Sequence, residues 1–221
     1  MATKAESQKA KILDAFLARL ATTRLGKIEL ADVAADAGVS LADLRAAYDS
    51  RLAMLEAFTR RIDLETLAKD DPAMADQPGR DRLFDVVMAR LDALAPYREA
   101  VRMLDRSVRR DPVLALAVAG GAVRSMAFML ASARIPTGGA MGRLRAQGLA
   151  LAFSRIVPVW LDDADPGLAR TLVAVDKELG RCAEADRMAT RLCGFVGRMC
   201  SGARRRREPD AGAPGTAGEG I

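Results

Sequence analysis

Apolar residues recur every three or four positions through most of the chain, which is the spacing of one buried helical face. The clearest of these stripes lie in the segments 8–23 and 80–94. We find no run in which apolar and polar residues alternate over the length of a strand. The pattern therefore predicts an all-α protein. With 221 residues, the chain has room for one large domain or two small ones.

A sharp turn is predicted inside the segment 28–58. Residues 37–40 read Ala-Gly-Val-Ser, and Gly38 can adopt a positive φ because it has no Cβ. Ser40 is followed three residues later by Asp43, which is the spacing of a capping box at a helix start. This arrangement predicts a helix-turn-helix, whose second helix is suited to a DNA major groove. The flanking apolar residues can form one small cluster: Leu30, Val33, Ala34, Val39 and Leu44.

The same segment resembles the DNA-binding region of TetR-type transcriptional regulators over about residues 8–58. The matching positions are Val33-Ala34, the turn at 37–40, Leu44, Tyr48-Asp49-Ser50-Arg51, and Ile12, Phe16 and Leu20 in the preceding helix. The resemblance implies a TetR-like fold, with an N-terminal three-helix unit joined to a larger C-terminal helical bundle. It also implies a cytoplasmic homodimer that binds a palindromic DNA operator and is modulated by a small apolar ligand.

The predicted second helix carries an unusual reading face. Leu41-Ala42-Asp43 stands where the family usually has Lys-Gly-Thr, and Arg45 stands where it usually has Tyr. Leu41 and Ala42 can touch thymine methyl groups but cannot donate hydrogen bonds to bases. Tyr48 can equally be a partly buried core residue. The expected DNA contacts are Lys27, Ser40, Leu41, Ala42, Arg45, Tyr48 and Arg51.

The distribution of charge along the chain argues against strong non-specific DNA affinity. The net charge is +5, but residues 1–60 hold nine Lys or Arg against eight Asp or Glu. Four consecutive arginines at 204–207 supply much of the total. A DNA-binding module usually has a more basic footprint, so the count argues against strong non-specific binding, although it leaves room for a single basic face.

The composition argues against catalysis. The chain has no histidine, which excludes histidine acid–base chemistry, histidine-activated nucleophiles and histidine-ligated zinc. The three cysteines, Cys182, Cys193 and Cys200, form no C-x-x-C motif. We therefore predict a non-enzymatic protein that uses no metal and no cofactor, in a reducing cytoplasmic setting.

The second half reads as a series of apolar helices. We assign residues 1–50 to the DNA-binding domain and 51–200 to a ligand-binding and dimerisation domain. The latter begins with a connecting helix at about 51–68 and a linker at about 69–79. Residues 201–221 form a basic, then Gly/Ala/Pro-rich tail, which we expect to be disordered. An apolar pocket is expected from Met88, Leu91, Met126, Met129, Leu130, Phe153 and Trp160, with a filled core as the alternative.

The most apolar run, Val113–Ala133, is predicted to be a buried helix. Its length could span a membrane, but Arg124 lies near its centre, where a charge costs about 2.5–3.5 kcal/mol on insertion scales. The glycine pair at 120–121 favours close packing between helices instead.

Residues 93–102, 110–112 and 159–179 carry a second resemblance. They are similar to the lipid-binding C-terminal domain of the coenzyme Q biosynthesis accessory protein, a family that shares the TetR-like fold. The alternative function is therefore a lipid or isoprenoid carrier that acts at a membrane surface without binding DNA.

The last predicted helix helps to distinguish a DNA-binding regulator from a lipid carrier. Its apolar stripe either packs on protein or, aided by the basic residues, touches anionic lipid. The stripe is Met188, Leu192, Phe195, Val196, Met199 and Cys200, and the basic residues off the stripe are Arg187, Arg191 and Arg198.

Overall fold

A computed structural model describes residues 4–69, 74 and 76–205 of the chain, with no strand in that part. The all-α prediction is confirmed. Short 3-10 turns occupy Leu25–Lys27 and Ala95–Tyr97. The helices are α1 (Lys4–Leu20), α2 (Leu30–Asp36), α3 (Leu41–Ala47), α4 (Arg51–Leu67), α5 (Gly79–Leu94), α6 (Arg98–Arg110), α7 (Pro112–Ser132), α8 (Gly139–Leu161) and α9 (Ala169–Arg205).

The chain divides into two compact units, Met1–Cys182 and Ala183–Ile221. The first contains α1 to α8 and the start of α9, and the second contains the rest of α9. The predicted division near residue 50 therefore lies inside the first unit, and we keep it as a proposed division of function. Side chains from 193 onward and the whole of 206–221 lie outside the described residues, as do parts of the predicted 69–79 linker.

The N-terminal three-helix unit, α1 to α3, is built on α1, which packs against α2, α3 and α4. Ile12, Phe16 and Leu20 recur at i, i+4 and i+8, so they line one face of α1, and all three are fully buried. Val33 of α2 and Leu44 of α3 belong to the same buried cluster. The three helices thus share one core, as their apolar spacing predicts.

The larger bundle is held together by α4 and α7. Helix α4 packs on α5 and α7, and α7 packs on α8. Phe58 and Ile62 of α4, Met129 of α7 and Ile156 of α8 are buried in this interior. Both α4 and α6 also pack on α1, so these two helices connect the N-terminal three-helix unit to the bundle.

The prediction that the apolar run near residue 120 is a buried helix is wrong. Helix α7 is long and apolar enough, by length and composition, to cross a membrane, yet only 22% of its most apolar stretch is buried. Val113 is 78% exposed and Leu116 is 79% exposed. In an almost uniformly apolar run there is no polar face, so periodicity could not show which side faces the core.

The C-terminal region also differs from expectation. The predicted terminal helix is part of one continuous helix, α9, which contains Gly180 and ends at Arg205. Residues 201–205, which were expected to begin the disordered tail, are therefore helical. A glycine within a helix costs only about 1 kcal/mol relative to alanine. The flanking helical residues on both sides are therefore enough to carry the helix through this position.

Candidate nucleic-acid interface

The predicted turn between α2 and α3 is present. Gly38 has φ of +66°, and the Val39 backbone N–H donates to the Ala34 carbonyl at 3.0 Å. The Gly38 N–H donates to the Ala35 carbonyl at 3.1 Å. These bonds close the end of α2 in the way a left-handed glycine allows. A Cβ placed at Gly38 would meet nothing within 4 Å, so the requirement for glycine comes from the backbone conformation alone.

Gly38→Val should lower the free energy of unfolding by about 1–2 kcal/mol or more, because an L-residue pays that cost in the left-handed region. The matched control is Gly26→Val, since a Cβ at Gly26 also meets nothing within 4 Å and Gly26 has no positive φ. Chemical denaturation of both variants and the wild type measures the difference. Equal stability of the two variants would show that the left-handed turn is not needed.

Helix α3 begins with a complete capping box, as predicted. Ser40 Oγ accepts from the Asp43 N–H at 3.0 Å, and the Ser40 N–H donates to Asp43 Oδ2 at 3.2 Å. The Ser40 hydroxyl also donates to Asp43 Oδ2 at 2.6 Å. These hydrogen bonds lower the pKa of Asp43 below its ordinary value. The ionised cap therefore stabilises the fold above the ordinary carboxyl pKa and loses its effect as pH falls through the lowered value.

The outer face of α3 is small and mostly apolar. Leu44 is the buried residue of the helix and is 1% exposed. Leu41, Ala42 and Arg45 point to solvent, and Leu41 is 54% exposed. The Arg45 guanidinium pairs with Asp49 one turn later. Arg45 is thus the cationic side chain that α3 itself carries, and its ion pair is exposed and can open at little cost.

Two predicted contact residues also hold the fold together. Arg51 Nη1 donates to the carbonyls of Gly26 and Ile28, each at 3.0 Å. The Tyr48 hydroxyl donates to the Lys9 carbonyl at 3.2 Å, and partial burial raises the pKa of Tyr48. Both side chains therefore fix the segments around α3, and any DNA contact they make has to coexist with these bonds.

The remaining predicted DNA contacts differ in whether their side chains are already engaged in bonds within the protein. Ser40 is committed to the cap, whereas Lys27 is exposed at the end of the 3-10 turn before α2. Arg19 of α1 forms ion pairs with both Asp32 and Asp36 of α2. One arginine stands against two carboxylates in this cluster, so the cluster keeps a net charge of −1 and adds nothing to a basic surface.

The predicted apolar pocket residues lie in or against one buried cluster. Leu91, Met126, Met129 and Leu130 are buried, while Met88 and Phe153 are partly buried against the same cluster. Trp160 lies beneath the Arg98 guanidinium, 4.9 Å from the ring centroid.

An open cleft of about 610 Å³ lies beside Trp160, and Trp160 is the predicted pocket residue that lines it. Arg98 and Arg102 donate to carbonyls at the end of α8 there, so these cations cap a helix.

A buried charged centre inside the bundle was not predicted. Arg90 of α5 is 5% exposed and bonds Asp63 of α4. Its guanidinium lies over the Phe153 ring, 5.4 Å from the centroid. The available signal was the position of Arg90 in sequence, seven residues after Leu83 and three after Val87 on the apolar face of the predicted helix.

No protein-family model and no curated protein sequence matches this chain. Solved structures do match it. One is a TetR transcriptional regulator from Nitrosomonas europaea, with a TM-score of 0.62, 21% identity, and 79% of this chain and 97% of that chain covered. Another is a TetR transcriptional regulator from Rhodococcus sp. RHA1, with a TM-score of 0.59, 16% identity, and coverages of 82% and 97%.

A third is a TetR-family transcriptional regulator from Streptomyces coelicolor, with a TM-score of 0.54, 14% identity, and coverages of 96% and 93%. At these identities the matches report on architecture. Together with the capped helix-turn-helix, they show that this chain has the TetR-like fold that the sequence predicted.

Proposed function

We propose that this protein is a transcriptional regulator that binds DNA as a homodimer through α3. The observation that supports this proposal most directly is the helix-turn-helix itself: a left-handed glycine turn, a complete capping box, and a helix whose outer face is exposed. The three structurally similar proteins are TetR-type transcriptional regulators, which supports this assignment. The coenzyme Q accessory alternative has no comparable support.

Recognition by α3 is expected to depend on few contacts. Leu41 and Ala42 can pack against thymine methyl groups, while Arg45 and Lys27 can reach phosphates. A face of this kind gives modest affinity and a shallow salt dependence, because each neutralised phosphate releases about one counterion. The preferred operator should therefore be rich in thymine at the positions that α3 faces.

The exposed apolar residues support dimerisation. Leu144 and Leu151 of α8 are 49% and 54% exposed, and Val173 of α9 is 68% exposed. In the second unit, Met188 is 70% exposed and Leu192 is 65% exposed; the rest of that predicted stripe lies outside the described side chains. A twofold dimer presents α3 twice, so its operator is expected to be palindromic.

Ligand control is the remaining part of the proposal. The bundle interior combines methionines with large apolar side chains, which can rearrange around an apolar guest. Helix α4 follows α3 after a short connection and packs on α5 and α7. A ligand that alters packing in this interior would therefore act on a helix that also packs on α1 of the DNA-binding unit.

Arg45→Ala should weaken DNA binding and flatten its salt dependence, since one phosphate contact contributes about 0.9 to the slope of log K against log salt. Arg60→Ala is the control, because Arg60 is an exposed arginine on α4, outside α3. Fluorescence anisotropy at several salt concentrations measures both slopes. An unchanged slope for Arg45→Ala would remove Arg45 from the interface.

The function is tested by selecting fragments of the source genome on the purified protein and sequencing those that remain bound. We expect enrichment of a palindromic site, including DNA upstream of the protein's own gene. Failure to enrich any site, together with strong salt-resistant binding to anionic vesicles, would overturn the regulator proposal in favour of the lipid carrier.

A further inference from the structure

The interior of the bundle contains a charged centre contributed by three helices. Arg90 Nη1 of α5 and Ser125 Oγ of α7 both donate to the same oxygen, Asp63 Oδ1 of α4, each at 2.5 Å. Arg90 is 5% exposed and Ser125 is 2% exposed. Burial lowers the pKa of the Arg90 guanidinium, while the nearby Asp63 carboxylate raises it.

The hydrogen bonding of Arg90 is incomplete. Its Nε is buried and has no hydrogen-bond partner, although buried donors in native proteins are nearly always satisfied. Its Nη1 also lies 3.8 Å from Met129 Sδ, a weak acceptor. The permanently charged guanidinium therefore lies over the Phe153 ring with one donor unused.

We infer that Arg90 is the recognition residue for an acidic apolar effector, a molecule with a carboxylate on a hydrophobic body. A carboxylate matches the guanidinium fork with two parallel hydrogen bonds and can reach the Nε that Asp63 does not bond. Leu91, Met126 and Met129 would surround the hydrophobic body. This inference rests on the proposed function and names the chemical class of its ligand.

The position of Asp63 gives such a ligand a route to the DNA-binding unit. A carboxylate bound at Nε shares the charge of Arg90 with Asp63, and Asp63 belongs to α4, the helix that follows α3. The ligand thus weakens a bond that ties α4 to α5. If ligand binding shifts α4 and the shift moves α3, the ligand changes the affinity for DNA, and DNA changes the affinity for the ligand by the same factor.

The test compares decanoate with decanol, which share the same chain length and differ in the head group. Native mass spectrometry and thermal shift on the full-length protein without DNA measure binding. We expect decanoate to bind at least about tenfold more tightly than decanol, because a hydrogen bond to a charged group is worth about that factor.

Two variants assign the preference to Arg90. Arg90→Met combined with Asp63→Asn removes both charges, and it should bind the two probes equally. Asp63→Asn alone leaves the guanidinium without its counter-ion, so decanoate should raise its Tm by more than it raises the Tm of the wild type. Arg143→Met, at an exposed arginine on α8, controls for general attraction of anions.

The inference is overturned if neither probe binds, if decanol binds as tightly as decanoate, or if the double variant keeps the preference for the acid. Because these measurements contain no DNA, they are independent of operator binding. A protein that binds no DNA but prefers decanoate through Arg90 would retain the ligand site and lose only the regulatory assignment.

Discussion

Arg90→Leu is expected to reduce the free energy of unfolding by about 3–5 kcal/mol, because it leaves Asp63 charged and unpaired inside the bundle. The Asp63 side chain is 14% exposed and that of Arg90 is 6% exposed, so water can replace little of the lost interaction. Ser125 continues to donate to Asp63, which limits the loss without removing it. Urea denaturation followed by circular dichroism measures the change.

The control separates the loss of charge balance from the loss of packing. Arg90→Leu combined with Asp63→Leu removes both charges, and it should be more stable than Arg90→Leu alone, since replacing a buried pair with apolar residues is often neutral or stabilising. If the double variant is as unstable as the single variant, packing around Arg90 and not its charge sets the stability.

Leu44→Ala should destabilise the N-terminal unit by about 2–5 kcal/mol, the usual cost of truncating a buried leucine. Leu44 is 1% exposed and is the side chain that anchors α3 to the core shared with α1 and α2. Losing it should also abolish DNA binding, because α3 can no longer be held in a fixed orientation.

Leu41→Ala is the matched control, since Leu41 belongs to the same helix but is 54% exposed. Its effect on stability should stay within about 0.5 kcal/mol, as for most surface substitutions, while its effect on DNA affinity reports a direct contact. Thermal and urea unfolding of the two variants give the comparison. Similar destabilisation by both changes would contradict the described orientation of α3.

The turn at the centre of the fold could be predicted because its causes are local. Gly38 supplies the left-handed residue, and Ser40 with Asp43 supplies the cap, so three residues within six positions specify the geometry. The apolar spacing of α1 is equally local. Such features follow from short-range sterics and hydrogen bonding, and they need no knowledge of the rest of the chain.

Other features depend on tertiary contacts that spacing does not encode. Arg51 bonds the carbonyls of residues more than twenty positions earlier, and Tyr48 bonds Lys9 of α1. Both were predicted as DNA contacts because they stand beside the second helix of the motif. Their hydrogen bonds within the protein become visible only once the helices are placed together.

The candidate ligand site shows the same limit. Residues such as Met129 and Phe153 could be selected from sequence because they are large and apolar, and the structure brings both next to Arg90. The pairing of Arg90 with Asp63 joins residues 27 positions apart on two helices. Helical periodicity places each residue on a face, but it does not say which charged residues on different helices will meet.

The central claim is that α3 faces DNA, and site-specific photocrosslinking tests it most directly. A benzophenone amino acid placed at the exposed Ala42 of α3 should crosslink to the selected operator, whereas the same amino acid at the exposed Ala140 of α8 should not. Crosslinking at both positions to the same extent, or at Ala140 alone, would contradict the account.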